Sequence, residues 1–566
     1  MNPRIQRDRD AITNSRTKGR GALLGTFFRL SGPGWLQSAI TLGGGSLSSS
    51  LYLGVLVGFS FLWLQPLAMI LGVIMLSAIA YVTLSTGLRP LRAINEHVNP
   101  VLGWGWIIAS MMANIVWSMP QFALGTAAVQ QNLLPGVVGV DAMPDPWGKI
   151  VVGLCLLAIA ITFVMFYNVG GKGVRIFEII VKMMVGMIVI CFFGVVIKLS
   201  IEGVMDWGKV GRGLIPDLGL LFRPADTFTP FIGEVSEKFQ GFWEAVIVRQ
   251  QRDVMISAAS TAVGINMTFL LPYSMLRKGW DTEFRGLAIF DLSTGLFIPF
   301  ILATGCVVMA SASQFHAIPA AGFLGELDTQ GRMVEPAKNL VGGYNNLMEG
   351  RLKYEIGDTF EKLSSQDKAA MIKAIPIADK KMAAMLVKRD AFNLADALAP
   401  LTGKVFSRYV FGLGVLGMAI SASTMLMLIN GLVFCEMLNR PARGWTQRIG
   451  CLMVSVGVLG PFFWKDAKMW LAIPTSVFAM VLLPIAYFTF YMLLNQKSLL
   501  GDNMPRGGKR VAWNVLMAIA AGLAAFGSVW TLWSKLQWIG IWVMAAFIGL
   551  ALIVQVYRKP NKQKIM

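Results

Sequence analysis

Residues 41–46 read Thr-Leu-Gly-Gly-Gly-Ser and residues 264–268 read Gly-Ile-Asn-Met-Thr, and each run interrupts a long apolar stretch. A glycine in a helix costs about 1 kcal/mol of helix propensity, and Pro272 follows the second run by one turn. In lipid no water can pair with freed backbone groups, so a helix breaks at membrane depth only where it lines a cavity. The two runs therefore predict two broken spans.

For either run alone, glycines that let neighbouring helices pack closely are the simpler interpretation. The positions of the runs favour a different one. Counted along the chain, they fall in the first and sixth apolar spans, five helices apart. This spacing matches two inverted five-helix repeats with a binding site near the bilayer midplane at their interface. We therefore expect a substrate site between the two breaks.

The composition places the chain in a membrane. Of its 566 residues, 55% are hydrophobic and 14% are charged, whereas a soluble domain has about 25% charged residues. These values exclude a soluble globular enzyme, a disordered chain and a disulfide scaffold. The net charge of +19 is explained by basic loops at the membrane surface, and no nucleic-acid partner is expected.

About twelve stretches approach the 20 apolar residues that a helix needs to cross a bilayer. They begin near Trp35, Phe61, Val101, Trp147, Ile176, Val254, Gly286, Phe406, Arg448, Met469, Val511 and Trp538. Lys and Arg are concentrated in alternate short loops, which favours a cytoplasmic position for those loops and for both termini. We expect a multi-pass protein of the cytoplasmic (inner) membrane.

The predicted organisation follows from these spans. It consists of a basic cytoplasmic tail at 1–30, a first inverted repeat at 31–200 (spans 1–5), an extracytoplasmic loop at 201–253, a second inverted repeat at 254–494 (spans 6–10) with a long extracytoplasmic loop at 317–404, and spans 11–12 with a cytoplasmic tail at 495–566. Within the longer loop, Ser364 and Asp367 predict a capping box that opens a helix.

Three stretches resemble the Nramp family of divalent-metal transporters. They are GPGWLQSAITLGGGSLSSSLYLGVLVGFSFLW from Gly32, FDLSTGLFIPFILATGCVVMASASQFHA from Phe290, and LADALAPLTGKVFSRYVFGLGVLGMAISASTMLMLINGLVFCEML from Leu394. The resemblance covers most of the chain from Gly32 to about Leu494. It implies an all-α polytopic membrane protein of the LeuT-type fold, with an inverted 5+5 repeat, broken helices 1 and 6, and two further helices.

The family's metal-binding segments are replaced in this chain. The Asp-Pro-Gly-Asn segment of the family aligns with residues 43–46, and its Met-Pro-His segment aligns with residues 265–267. The third-span acids of the family, associated with proton transfer, fall at Met119 and Phe122, and its tenth-span glutamine falls at about Ser476. A dication without carboxylate ligands would keep an uncompensated charge in a low dielectric. The sequence therefore argues against transition-metal transport.

A neutral cavity with hydrogen-bonding groups suits a small polyhydroxylated solute. We expect alternating-access transport of a monosaccharide such as glucose, with Gln37 and Thr41 as further donors. The candidate substrate-binding residues are Gly43, Gly44, Gly45, Ser46, Asn114, Trp117, Gln121, Ile265, Asn266, Met267, Thr268 and Ser476. Each also has a structural interpretation, because hydroxyls bond their own helix and amides join helices.

Three alternatives stay open. A zwitterionic amino acid can place its carboxylate on the helix N-terminus exposed after residues 43–45, although no acid there receives its ammonium group. A hydrated Mg²⁺ ion is the second alternative. The third is a receptor that keeps the fold and binds a solute without moving it.

Coupling is the least determined property. The resemblance to the Nramp family implies a proton as the coupling ion. Uniport is the alternative, because the family's proton-carrying residues are replaced. Glu178, Asp291 and Glu436 lie near the cytoplasmic ends of spans, where an ion pair is as good an interpretation as a functional role. We expect no enzyme activity, no cofactor and no bound metal, and a monomer whose partners are the solute, protons and the lipid bilayer.

Overall fold

The computed structural model describes residues 3–139, 141–169, 172–328, 330–403, 405–463 and 472–558. These residues are predominantly helical, and an isolated bridge pairs Leu327 with Met333. Within these ranges, eight helices are long and apolar enough to cross a membrane, or ten when each of two sharply bent pairs is counted as one span. The chain is thus a multi-pass, all-α membrane protein.

The helices are numbered here in chain order. The first half contains α1 (Pro3–Thr17), α2 (Arg20–Leu30), α3 (Pro33–Thr41), α4 (Gly44–Val57), α5 (Leu64–Thr86), α6 (Pro90–His97), α7 (Pro100–Ala127), α8 (Pro135–Val138), α9 (Trp147–Val169), α10 (Lys172–Ile201), α11 (Trp207–Arg212) and α12 (Thr229–Glu234). A π-helical turn, Ala128–Leu133, extends α7.

The second half contains α13 (Glu237–Ala262), α14 (Ile265–Lys278), α15 (Arg285–Leu292), α16 (Ile298–Phe315), α17 (Lys338–Ile356), α18 (Ser365–Ala374), α19 (Ile377–Leu386), α20 (Ala391–Thr402), α21 (Phe411–Met437), α22 (Trp445–Leu452), α23 (Gly460–Phe463), α24 (Ala472–Leu494), α25 (Lys497–Leu500) and α26 (Gly507–Tyr557).

Both predicted helix breaks are confirmed. Helices α3 and α4 form one span that is bent by 57° at residues 42–43, where Gly43 has an extended backbone. Helices α13 and α14 form the other broken span, and both Val263 and Gly264 are extended between them. In each span these residues end the first half-helix and start the second.

The first broken span lies inside the bundle. Helix α4 packs against α13 and α16, and α7 packs against α21. All residues of α4 except Gly45 are buried, as expected for a helix that is apolar or small on all sides. The two breaks therefore lie in the protein interior beside α7, and this arrangement creates the candidate site.

The number of spans differs from the expected twelve for identifiable reasons. Helix α26 has 51 residues, which is about 77 Å at 1.5 Å per residue and more than twice the thickness of a bilayer. Gln537 has a positive φ of 48° inside it, next to the predicted start of span 12 at Trp538. The predicted ninth span consists of three short segments, Trp445–Leu452, Met453–Leu459 and Gly460–Phe463. The predicted start of span 10 at Met469 lies outside the described residues.

The predicted loops and tail are more ordered than expected. Helix α13 begins at Glu237, so the prediction that the loop extends to residue 253 is wrong. Its buried Phe239, Trp243, Val246 and Ile247 recur at helical spacing, and the polar residues between them hid this pattern. In the longer loop, Ser364 accepts a hydrogen bond from the backbone N–H of Asp367 at 3.1 Å, which confirms the predicted helix start.

The N-terminal segment packs against the bundle through α1. Ile12 is fully buried, and Arg9 forms an ion pair with Asp281 in the turn between α14 and α15. Residues 3–30 therefore form two helices and not an extended tail. Which side of the membrane they occupy stays a prediction.

Candidate functional site

Side chains pair the backbone groups that are freed at the first break. The N–H of Gly44 donates to Gln121 Oε1 at 2.8 Å. The Ser46 hydroxyl donates to the carbonyl oxygen of Thr41 and accepts from the N–H of Gly43 at 3.3 Å. Gln121 and Ser46 were predicted as site residues, and the structure places both at the break, where they hold its backbone.

The glycines at this break permit close packing. A Cβ atom on Gly43 would lie 3.0 Å from the Cβ of Ala422 and 3.2 Å from Gln121 Oε1. A Cβ atom on Gly44 would lie 3.1 Å from Leu124 Cδ2. Helices α7 and α21 therefore approach the broken backbone directly, and the space that a larger residue would need is already filled.

Met267 connects the two breaks. Its thioether sulfur accepts hydrogen bonds from Thr41 Oγ1 at 3.1 Å and from the N–H of Gly264 at 3.4 Å. Its carbonyl oxygen accepts from Gln37 Nε2 at 3.2 Å. Residues of α3 and α14 thus share one hydrogen-bonded cluster.

A chain of amide groups continues from the second break into the bundle. Asn266 Nδ2 donates to Asn114 Oδ1 at 3.0 Å, Asn114 Nδ2 lies 3.5 Å from Asn430 Oδ1, and Asn430 Nδ2 donates to the carbonyl oxygen of Gly450 at 2.8 Å. All three side chains are fully buried. Asn430 was not among the predicted site residues. Its position in the middle of an apolar span is the sequence feature that could have indicated it.

Two buried amide oxygens in this region lack partners. Among the described residues, no donor is hydrogen-bonded to Gln37 Oε1 or to Asn266 Oδ1, and both side chains have no exposed surface. An unsatisfied buried acceptor costs about 1–3 kcal/mol, so each such group requires a physical reason. A ligand that accepts electron pairs from oxygen would provide one.

A small cavity of about 30 Å³ adjoins the first break. It is lined by Ile40, Thr41, Gly43, Gly45, Ser46, Trp117, Pro120, Gln121 and Thr261. Such a volume holds one or two water-sized particles, whereas pockets for organic ligands measure about 300–1,000 Å³. Ile40, Pro120 and Thr261 were not among the candidates, because nothing in the sequence showed which faces of their helices point to the break.

The remaining candidates whose side chains are described do not line this cavity. Gly44 is hydrogen-bonded to Gln121, which does line it, and Thr268 accepts a hydrogen bond from Trp106 Nε1 at 2.8 Å. Ile265 is fully buried at the start of α14. Ser476 falls in α24, but its side chain lies outside the described residues.

The three acidic residues near the span ends lie in structural contacts. Glu178 pairs with Lys278 at 3.2 Å and Glu436 pairs with Arg89 at 3.2 Å. Asp291 accepts hydrogen bonds from two backbone N–H groups at the start of α3. Within the described ranges, no group of three or more His, Cys, Asp and Glu residues could hold a metal ion.

The amino-acid sequence matches the model of a known family. Residues 34–342 and 370–534 match the sequence model of Nramp, described as natural resistance-associated macrophage protein-like. The chain belongs to the Nramp family. The matched ranges cover most of the chain, so the predicted resemblance is confirmed. The members of this family are transporters.

Solved structures show the same fold. A crystal structure of the Eremococcus coleocola manganese transporter, in complex with an aromatic bis-isothiourea substituted compound, aligns with a TM-score of 0.60 and 13% identity, covering 94% of this chain and 95% of that one. Two single-residue mutants of that transporter align over the same shares with TM-scores of 0.54 and identities of 15% and 14%. This Nramp member therefore has the LeuT-type fold that the sequence predicts.

One curated relative is similar over part of its length. The divalent metal cation transporter MntH of Brucella suis biovar 1 (strain 1330) is 25% identical over 214 residues, which are 38% of this chain. The match spans 41% of the relative, or about two fifths of its length.

The predicted sugar substrate and sugar partner are wrong, and the argument against transition-metal transport is overturned with them. The relatives named above are a divalent metal cation transporter and a manganese transporter, and the cavity at the break is about ten times smaller than the lower end of the range for organic ligands. The prediction failed because it considered the loss of carboxylates and not the volume left between the helices, which Gln121 and Trp117 line.

Proposed function

We propose that this Nramp protein is a transporter that carries a divalent metal cation across the membrane by alternating access. The observation that carries the proposal is the pair of unpartnered buried oxygens, Gln37 Oε1 and Asn266 Oδ1, where the two broken spans of a Nramp-family member meet. Amide oxygens are ligands that hard divalent cations accept. A bound cation would satisfy both groups.

The broken helices add electrostatic support. Helices α3 and α13 end at Thr41 and Ala262, so their carboxyl ends face the region between the breaks, to which α4 and α14 present their amino ends. A helix carboxyl end has a partial negative charge of about half an elementary charge. Unwound carbonyl groups and half-helix ends of this kind coordinate cations in transporters of this architecture.

The donor set also indicates how the cation is held. The oxygens of Gln37 and Asn266 and the thioether of Met267 are neutral, so they replace only part of the water shell of a divalent ion. The cavity of about 30 Å³ beside the break has room for one or two waters. We infer that the ion moves with part of its water, which makes Mg²⁺ a candidate beside Mn²⁺.

The remaining properties are proposed on the same basis. We propose a position in the cytoplasmic membrane with both termini in the cytoplasm. Lys and Arg are concentrated in alternate short loops, and loops rich in these residues lie on the cytoplasmic side. Family membership supports a proton as the coupling ion. The cycle requires only rearrangement of the half-helices around the cation, so we propose no enzyme activity.

Uptake into proteoliposomes of the purified full chain tests the proposal. Radiolabelled Mn²⁺, Mg²⁺ with an entrapped indicator, glucose and L-alanine form four arms, each with and without an inward proton gradient. We expect saturable uptake of Mn²⁺ or Mg²⁺ and none of glucose or alanine. Uptake of an organic solute without cation flux, or cation binding without flux, would contradict the proposal.

Variants at the breaks sharpen this test. We expect Gln37→Ala and Asn266→Ala each to weaken cation affinity about tenfold, because each removes one ligand oxygen. Asn345→Ala removes an exposed amide from α17 and serves as the matched control. Unchanged affinity in both site variants, in protein that remains monodisperse, would show that the cation binds elsewhere.

A further inference from the structure

A groove lies between α5, α13, α24 and α26, four helices of the membrane bundle. Its volume is about 200 Å³, and most of its lining is apolar, with Leu67, Leu71, Ile256, Leu523 and Phe526 as examples. Phe526 is 57% exposed and Leu67 is 38% exposed, so the groove opens to the surroundings of the bundle. In a membrane protein those surroundings are lipid.

Arg252 is the only charged residue among the described residues that line the groove. It lies ten residues before the end of α13 at Ala262, a distance of about 15 Å along the helix. Because the break that follows lies near the bilayer midplane, this distance equals half of the hydrocarbon thickness of about 30 Å. The guanidinium group is therefore at the depth where phospholipid phosphates begin.

The same face of α13 leads from Arg252 towards the midplane. Met255, Ile256 and Ala259 also line the groove, and they follow Arg252 at intervals of three, four and seven residues, which is the spacing of one helix face. The positively charged Arg252 is thus followed, towards the midplane, by a strip of apolar side chains. A phospholipid is complementary to this surface, because its negative phosphate is followed by an apolar acyl chain.

The guanidinium is held in place without being neutralised by a carboxylate. Arg252 Nε donates to the carbonyl oxygen of Leu221, and the group lies 5.6 Å from the Phe222 ring and 5.1 Å from the Trp530 ring. The neighbouring Asp253 is paired with Lys535 at 2.8 Å. In the part of the chain that is described, no carboxylate forms a salt bridge with Arg252.

We propose that this groove binds an anionic phospholipid from the leaflet on the side of residues 317–403. The lipid phosphate lies on the Arg252 guanidinium, whose planar donors match phosphate oxygens, and one acyl chain packs along α13 between α5 and α26. The net negative headgroup complements a cation that has no carboxylate partner in the groove. This site is separate from the breaks and does not depend on the proposed cargo.

Lipid binding to the purified full chain tests the site. In native mass spectrometry with added phosphatidylglycerol or phosphatidylcholine, we expect the protein to bind phosphatidylglycerol more tightly. Arg252→Gln should lower the affinity for phosphatidylglycerol about tenfold, to the affinity for phosphatidylcholine. Arg332→Gln, which removes an exposed charge on the same side of the membrane, is the matched control and should leave binding unchanged.

Two further variants separate the lipid site from a general loss of structure. Arg252→Lys keeps the charge and should retain most of the preference for phosphatidylglycerol. Ala259→Phe fills the groove below the charge and should lower the affinity for both lipids. The proposal is overturned if Arg252→Gln binds phosphatidylglycerol as the unmodified chain does, if the unmodified chain binds both lipids equally, or if inorganic phosphate displaces the lipid. Should Arg252→Gln fail to fold, undiminished binding by Ala259→Phe would equally overturn it.

Discussion

Asp291 accepts a hydrogen bond of 2.7 Å from the backbone N–H of Gly34, which lies 257 residues away in the chain. Its second carboxylate oxygen accepts from the N–H of Gly32 at 3.0 Å, and the side chain is 1% exposed. The carboxylate therefore holds the amino end of α3, where the helix dipole favours a negative charge. Through this contact the first half of the broken span is fixed to the segment that opens span 7.

Replacing Asp291 should loosen this anchor. We expect Asp291→Asn to lower the free energy of unfolding by about 1–3 kcal/mol, because the amide loses the charge and one acceptor while the N–H groups of Gly32 and Gly34 stay buried. Thermal unfolding in detergent measures the change. Asp358→Asn in the exposed loop is the control, and equal stability of the two variants would show that the anchor contributes nothing.

Close packing at the first break can be tested by moving one methyl group. Gly43→Ala places a Cβ atom 3.0 Å from that of Ala422, and overpacking of this kind costs about 1–3 kcal/mol. We expect lower stability and slower cation uptake. The double variant Gly43→Ala with Ala422→Gly should recover much of both, since it returns the space. No recovery would mean that glycine is required for its backbone and not for its size.

The sequence was sufficient to predict both breaks, because glycine beside polar residues within an apolar span disfavours a continuous helix. It predicted Gln121 beside them but not Asn430, which reaches the site through a contact with Asn114 of a distant helix. It also could not give the volume of the cavity, which depends on the packing of Trp117 and Gln121. The substrate prediction failed at this step, because the residue types at a site do not give its size.

A buried ion pair organises the long loop between α16 and α21. Asp379 accepts from Arg351 Nε at 2.8 Å and from Trp243 Nε1 at 2.7 Å, and both charged side chains are 1% exposed. Leaving a buried charge without any partner costs about 3–5 kcal/mol, and Asp379→Asn should cost less than that because Arg351 keeps Glu355 at 2.9 Å. We expect Asp379→Asn to make residues 338–390 much more sensitive to limited proteolysis.

The exposed pair formed by Lys353 and Glu361, at 55% and 64% exposure, is the matched control for this loop. Surface ion pairs contribute about 0–1 kcal/mol, so Glu361→Gln should change proteolysis little. If the two variants were cleaved at the same rate, the Asp379 network would not be what holds the loop against α13.

Gln121 offers the most direct test of the proposed transport of a divalent cation. Its Oε1 accepts from the N–H of Gly44, and the side chain lines the cavity at the break. Gln121→Glu keeps that acceptor and adds a negative charge, so we expect cation affinity to rise about tenfold or more with slower release.

Gln121→Ala removes the acceptor and should lower stability by about 1–3 kcal/mol. Calorimetric titration with Mn²⁺ and Mg²⁺ measures the affinities, and thermal unfolding in detergent measures the stability. If the carboxylate left the affinity unchanged, the cation would not pass beside Gln121, and the cargo would have to be sought away from the broken spans.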